Sequence, residues 1–418
     1  MKSWLWVCIW ASTIVLSCVP IHASYSRVES MGKSAEFFMD DVSIFDNPAN
    51  MSIFPNFLIG ELGTYRFVPG QADSSALVRV NHDPENSWFG GIFSYSAGGK
   101  KDKKKLSPQF SIGGAFNRLD GEILPLVPDS ADGKVIPQPA TNFDGFLGIA
   151  LARGGMLGSH IYTAVQEGAE LVGGSVRSVD GDVRISLLRA DLGINWPLGK
   201  SVDGELSVGG ARTSYGPDSI NAKWSFFAKA RAFSTVEVIN GEVVPILNYS
   251  RFSIPGKVAS LLHFGVGANV SMDRGFFWLG IQGIFDEWKT NGIDTSGGHL
   301  VYRSSSGLKT SETRRGGSVG FGIERNIWWD WLVLRVGGHK EIAFTKVKDG
   351  ATNYSYVWTN ATGDMTVGDQ VGFGIGLNVE EKLKLDATLA EDLPYTFGNL
   401  FSGPHHHVIS RISATYSF

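Results

Sequence analysis

The sequence predicts an all-β chain, a transmembrane antiparallel β-barrel of about 14 strands with 12 to 16 allowed, because an even number returns both chain ends to one side of the membrane. Three observations predict it. Apolar residues alternate with polar or tiny ones over segments of about ten residues. Nothing after residue 24 approaches the roughly 20 uninterrupted apolar residues that a helical span needs. The first 23 residues read as an export segment.

Composition narrows the class further. The 418 residues carry 37 Lys+Arg against 41 Asp+Glu, a net charge of -4, with 52 glycines and 12% aromatic residues. Such a balance gives no basic field for phosphates, so nucleic acid is excluded as a partner. The dense basic run from Lys100 to Lys105 is too short to alter that.

In chain order, Lys2 precedes an apolar run from Trp4 to Val19, and Pro20-Ile21-His22-Ala23 ends in a small residue suited to cleavage. The expected division is a signal peptide at 1–23, an N-terminal segment at 24–56 and a barrel at 57–418, with localisation in the cell outer membrane. A lipobox-like reading of Val15-Leu16-Ser17-Cys18 is weakened by Leu16. Both cysteines, Cys8 and Cys18, lie before residue 24. The remainder therefore has no thiol for a disulfide, a metal or catalysis.

Candidate strands lie near 57–67, 75–81, 87–96, 109–118, 143–151, 158–167, 183–196, 202–212, 223–239, 242–271, 275–287, 314–325, 331–344, 367–379, 382–391 and 407–418. The pattern is plain at Leu262, Phe264, Val266, Ala268 and Val270, which oppose His263, Gly265, Gly267, Asn269 and Ser271. A soluble sandwich would alternate too; the length of the segments in an exported chain favours the membrane. If the greasy face meets lipid, then Arg189, Asp191, His263, Asn269, Glu324, Arg335, His339, Lys382, Lys384 and Asp386 face the lumen. There they line a path or pair with one another and with the N-terminal segment. Asn240-Gly241 marks a tight hairpin.

Trp196, Trp224, Trp278, Trp288, Trp328, Trp329, Trp331 and Tyr416 mostly fall near segment ends, as interfacial girdles do. Connections at 272–274, 326–330 and 380–381 are short, whereas 288–313, 345–366 and 392–406 are long, which suits inner turns and outer loops. Residues 119–142, with four prolines, form another excursion that cannot be a central strand.

Two resemblances add to this. The terminal segment 408–418, with Tyr416 and Phe418 on its apolar face, resembles the last strand of bacterial outer-membrane barrels. That resemblance implies a Phe-ended signal read by the barrel-assembly machinery. Residues 31–56 contain Asn47-Pro48-Ala49 and resemble the N-terminal hatch of the FadL-like family of hydrophobic-compound transporters. The match implies a 14-stranded barrel plugged by this segment and passage of an apolar ligand such as a long-chain fatty acid. Secretion-associated relatives share the Asn-Pro-Ala region, so a structural or secretion role stays open beside transport, as does a general porin.

Chemistry-bearing patterns are sparse, and no enzyme, cofactor or metal is expected. Gly316-Gly317-Ser318-Val319-Gly320 fits G-x-S-x-G but sits in a glycine-rich alternating strand instead of a strand-turn-helix elbow. Neighbouring side chains of His405-His406-His407 point to opposite faces of an extended segment. The Lys100–Lys105 run would reach lipopolysaccharide only from an outer loop. Expected partners are thus outer-membrane lipid and lipopolysaccharide, the assembly machinery and a hydrophobic small molecule. A phospholipase-type activity ranks last.

Overall fold

A computed structural model describes residues 24–32, 35–63, 87–96, 108–127, 130–131, 134–136, 139, 141–151, 154–167, 169–172, 175–178, 184–216, 222–291, 293–296, 299–302, 309–349, 353–359, 370–380, 382–389 and 409–418. The export segment 1–23, the candidate strand 75–81, the Lys100–Lys105 run and His405–His407 lie outside these residues.

Antiparallel ladders join β1 (Phe57–Gly63), β2 (Trp88–Ser96), β3 (Gln109–Phe116), β4 (Thr141–Ala150), β5 (Met156–Glu167), β6 (Arg184–Pro197), β7 (Val202–Gly216) and β8 (Lys223–Val236). They continue through β9 (Gly241–Ile254), β10 (Lys257–Met272), β11 (Gly275–Asn291), β12 (Lys309–Asn326) and β13 (Leu332–Asp349). The fourteenth position is shared by two pieces, Asn353–Thr359 and β14 (Gln370–Val379), both paired with β13. After β15 (Leu383–Leu389), β16 (Ile409–Ser417) pairs back onto β1 from Phe57↔Ser417 to Gly63↔Arg411. The sheet is therefore closed, with no free edge to satisfy.

The barrel has 16 strands, which corrects the expected 14. The expected single segment 242–271 is two strands, β9 and β10, joined by a two-residue turn at Pro255-Gly256. Gly256 takes φ +77, a left-handed conformation that glycine adopts without penalty. Alternation on either side had masked this turn. Short turns at 151–155, 198–201, 237–240, 273–274, 327–331 and 380–382 share one rim with Phe57 and Phe418, and long connections gather at the other. The strand ends Ser96 and Gln109, which flank the Lys100–Lys105 run, lie on the short-turn rim. Against the other rim, Ser130–Ala131 pairs with Val301–Tyr302, linking two outer connections.

The two faces of the wall are inverted relative to a soluble protein. On β6, Arg189, Asp191 and Asn195 are buried, while Leu188 and Leu192 are 48% and 63% exposed. Phe89, Ile112, Leu147, Ile161 and Phe226 are likewise exposed around the outside. A continuous apolar exterior of this kind is tolerated only against lipid. Among the described residues no helix is long and apolar enough to cross a membrane.

Residues 24–32 and 35–56 pack against the inner face. They form α1 (Tyr25–Ser30) and 3-10 turns at Ala35–Phe37, Asp41–Phe45 and Pro48–Ser52. Ser24, Asp40 and Asn47 act as N-caps, each with its side chain accepting from a backbone N–H two or three residues on. Phe37, Phe45, Met51 and Phe54 share one apolar cluster with the wall residues Trp88, Phe146, Phe233 and Trp278. Trp278 is fully buried on the lumen face and Trp288 shares that face, which corrects their assignment to the girdle. On β11 the odd-numbered Leu279, Ile281 and Phe285 face outward, so the even positions must face in. Trp196, Trp224, Trp328, Trp329, Trp331 and Tyr416 are exposed.

Candidate functional site

Inward glycines make the space that the N-terminal segment fills. A Cβ at Gly158 would overlap Pro48, and one at Gly193 would overlap the Asn47 side chain. The turn Asn47-Pro48-Ala49 thus lies directly on the wall of β5 and β6. Asn47 caps its own turn, its Oδ1 accepting from Ala49 N–H at 3.1 Å, and its Nδ2 donates to the Ile194 carbonyl at 3.3 Å. Phe37 fills the space beside Gly267 and Gly280, and Met31 that beside Gly337.

Ion pairs fix the segment at three further points, one of them Arg411 on Glu29 at 3.4 Å. Arg27 reaches Asp40 at 3.1 Å and Glu324 at 2.6 Å; Glu324 also holds Arg335 at 2.6 Å, and Arg335 reaches Asp386 at 2.6 Å. Ser24 closes this chain with a hydrogen bond to Asp386 at 3.3 Å. Asp41 adjoins Asp40, fully buried, and neither of its oxygens receives a hydrogen bond among the described residues. Burial, and then the Asp40 charge, push the Asp41 carboxyl well above the usual carboxylate range.

A second chain of charges crosses the lumen. Arg118 pairs with Asp144 at 2.6 Å; His160 places one ring nitrogen 2.8 Å from Asp144 and the other 2.6 Å from Asp191. Asp191 holds Arg189 at 2.9 Å, which reaches Asp120 at 2.9 Å and Glu122 at 2.7 Å. Glu122 then meets Lys229 at 2.6 Å, and Lys229 meets Asp46 of the N-terminal segment at 2.5 Å. Lys229 and Arg189 hold the Glu122 carboxyl well below its ordinary range, although burial works in the opposite sense. His160 also stacks on Phe146 at 4.5 Å.

These contacts reveal a second inner element. The excursion after β3 turns inward as a strap over 118–127, with Ile123 fully buried and Asp120 capping it through Oδ1, which accepts from Ile123 N–H at 2.7 Å. Its apolar side meets Tyr162, Ile185, Leu187, Phe227, Phe252 and Ile254. Beneath the strap the lumen face of β5 to β10 is therefore apolar, whereas lower down, and at the edge where Lys223 and Lys257 stand, it carries charge.

Of the residues expected to face the lumen, Arg189, Asp191, Asn269, Arg335 and Asp386 are buried on the inner face. His263 pairs with Asp286 at 2.9 Å, and Asn269 donates to the Phe37 carbonyl at 3.0 Å. His339 and Lys384 are half-buried at inward positions. Lys382 is not in the lumen: it belongs to the turn 380–382 and is exposed, because β15 begins only at Leu383. Ser318 of the G-x-S-x-G match lies in mid-strand on β12, beside Gln282 at 3.5 Å, without an elbow. Tyr416 and Phe418 project outward, and Phe418 N–H donates to the Asn56 carbonyl at 3.1 Å.

Arg118, Asp120, Glu122 and Lys229 were not foreseen, nor were Asp144 and His160. The last two sit at inward positions of β4 and β5, so the alternation that exposed Asp191 could have found them. The strap carries no periodic signal.

The chain matches no protein-family model and no curated protein at a significant level. Among solved structures it is similar to CdiB from Escherichia coli, at 10% identity and TM-score 0.42, over 86% of this chain and 63% of that one. It thus spans less than two thirds of CdiB. It is also similar to the siderophore receptor PirA from Acinetobacter baumannii, at 9% identity and TM-score 0.28, over 87% of this chain and 80% of that one. The ferric enterobactin receptor PfeA from Pseudomonas aeruginosa gives 10% and 0.26, over 86% and 81%. These likenesses reach no further than a barrel, and the fold rests on the strand ladders themselves.

Proposed function

We propose that this chain is an outer-membrane barrel that passes apolar small molecules, such as long-chain fatty acids, with residues 24–56 as its hatch. The observation that carries this reading is the apolar lumen surface of Ile185, Leu187, Phe227, Phe252 and Ile254 under the 118–127 strap. These side chains are buried beneath the strap, so a greasy ligand entering from the long-connection rim would take the place of Ile123 and Leu124 on a preformed apolar surface, from which a water-filled porin gains nothing. The seating of Asn47-Pro48-Ala49 against the wall supports the FadL-like resemblance. In this reading Tyr416 and Phe418 are the feature that the assembly machinery recognises.

The test is fatty-acid uptake and ionic conductance measured on the same folded barrel in liposomes. Uptake with little conductance is expected, together with reduced uptake but normal assembly when Asn47 or Pro48 is replaced. Normal uptake in those variants counts against a hatch; large steady conductance in the parent makes the chain a porin. A secretion-associated or structural role is favoured by the outer pairing of Ser130–Ala131 with Val301–Tyr302, which offers a platform for a protein partner. That role predicts neither uptake nor conductance and a complex that co-purifies through the outer connections.

A further inference from the structure

Strand register allows the outward face of β9 to β13 to be read row by row from one rim to the other. Leu247, Phe264 and Ile342 share a row with two glycines, and the next row toward the long-connection rim holds Tyr249, Leu262, Phe285, Arg315 and Phe344. Charge then takes over. Arg251 and Lys346 occupy the following row, Lys289 and Lys348 the one beyond, and Lys309 the last. Arg251, Lys289, Lys309, Arg315 and Lys348 are exposed and Lys346 is half-buried. At the opposite end the same strands present Val270, Phe277, Ile323 and Val336 in one outward row, and Arg325 stands alone as a cation in the next. Glu287, paired with Lys289 at 2.8 Å, is the acid interleaved with the belt.

A cleft of about 670 Å³ opens within this belt. It opens at the rim beside the Pro255-Gly256 turn that ends β9 and β10, where Asn291 N–H donates to the Gly256 carbonyl at 2.8 Å. Lys289, Lys309 and Lys348 line it from the outer side and Lys223 and Lys257 from the lumen side, with the hydroxyls of Thr310 and Ser311 between. Five ammonium groups, with the hydroxyls of Ser253, Thr290, Thr310 and Ser311, line one cleft, a cationic composition that suits phosphate oxygens.

We propose that this belt and cleft bind the phosphate groups of a phosphorylated lipid of the outer leaflet, whose acyl chains lie on the apolar rows directly below. A lipid is the fitting source because the same outward face supplies both halves of the site, cations above and Leu262, Phe264 and Phe285 beneath. A soluble anion would use only the first. The asymmetry between the rims has the sense that an anionic outer leaflet requires, since basic clusters at a membrane surface bind anionic headgroups. The inference rests on the membrane placement proposed above and not on transport, so uptake can fail while lipid binding holds.

The test is native mass spectrometry of the full chain, folded in detergent, with a bis-phosphorylated diglucosamine lipid, its dephosphorylated form, and inorganic pyrophosphate. The parent should retain the phosphorylated lipid, and neither of the others should displace it. Combining Lys289→Gln, Lys309→Gln and Lys348→Gln should weaken retention roughly a hundredfold, taking each surface lysine as worth about fivefold. Arg325→Gln at the other rim should leave it unchanged. On the parent alone, retention should fall as salt is raised. Equal retention in the triple variant, displacement by pyrophosphate, retention of the dephosphorylated lipid, or indifference to salt would each overturn the proposal.

Discussion

At the scale of single residues, the lumen chemistry is governed by whether each buried charge keeps its partners. Asp191 accepts from both His160 and Arg189, and all three are buried. Asp191→Ala takes one partner from each of two buried groups while leaving Asp144 to His160 and Asp120 and Glu122 to Arg189, and should cost about 1–3 kcal/mol, read as a lower denaturant midpoint of the folded barrel. Asp41 behaves in the opposite sense. Its carboxyl is pushed up by burial and by Asp40, so the folded state holds the proton longer than the unfolded chain does. Its contribution is therefore most favourable below an ordinary Asp value of about 3.9 and is eroded as pH rises through the folded value. Asp41→Asn should raise the midpoint at pH 7 by about 1–3 kcal/mol, and the gap to the parent should close in acid. A constant gap across that range would show that Asp41 stays ionised.

At the scale of elements, the 118–127 strap and the turn at 255–256 invite direct tests. Glu122 ties the strap to Arg189 and Lys229 with its carboxyl held low, so that tie is present above about pH 4.3 and is lost as pH falls through the folded value. Glu122→Gln should speed amide hydrogen exchange over 118–127 at neutral pH, and parent and variant should converge in strong acid. Gly256→Ala forces a Cβ into φ +77 and should cost about 1 kcal/mol in the same denaturation measurement. These elements also mark where the sequence is legible. Alternation at Leu188 to Asn195 and at Leu262 to Ser271 identifies wall strands and both faces, because lipid and lumen impose different chemistry on successive residues. It fails at Pro255-Gly256, where the rhythm runs through the turn and hides a strand boundary. It misleads at Trp278 because the lumen there is lined for Phe37 and is as aromatic as the exterior. The strap was foreseen only as an excursion, since its docking depends on Tyr162, Ile185 and Phe227 from three separate strands.

At the scale of the whole molecule, 16 strands enclose a width that in porins holds a water channel, yet here residues 24–32, 35–56 and the strap pack against the inner face. Deleting residues 24–56 should leave a heat-modifiable barrel that conducts ions steadily in planar bilayers; a silent deletion variant would mean that the strap alone closes the lumen. The ties that hold this segment are also among the most distant in the chain. Ser24 meets Asp386 across 362 residues and Arg27 meets Glu324 across 297. Closing such loops is entropically costly until both ends are already fixed. The part of the described chain that leaves the ribosome first can therefore dock only after β12 and β15 have formed. Its aromatic side must therefore stay uncovered until those strands are in place, which makes the docking of this stretch the last step of folding.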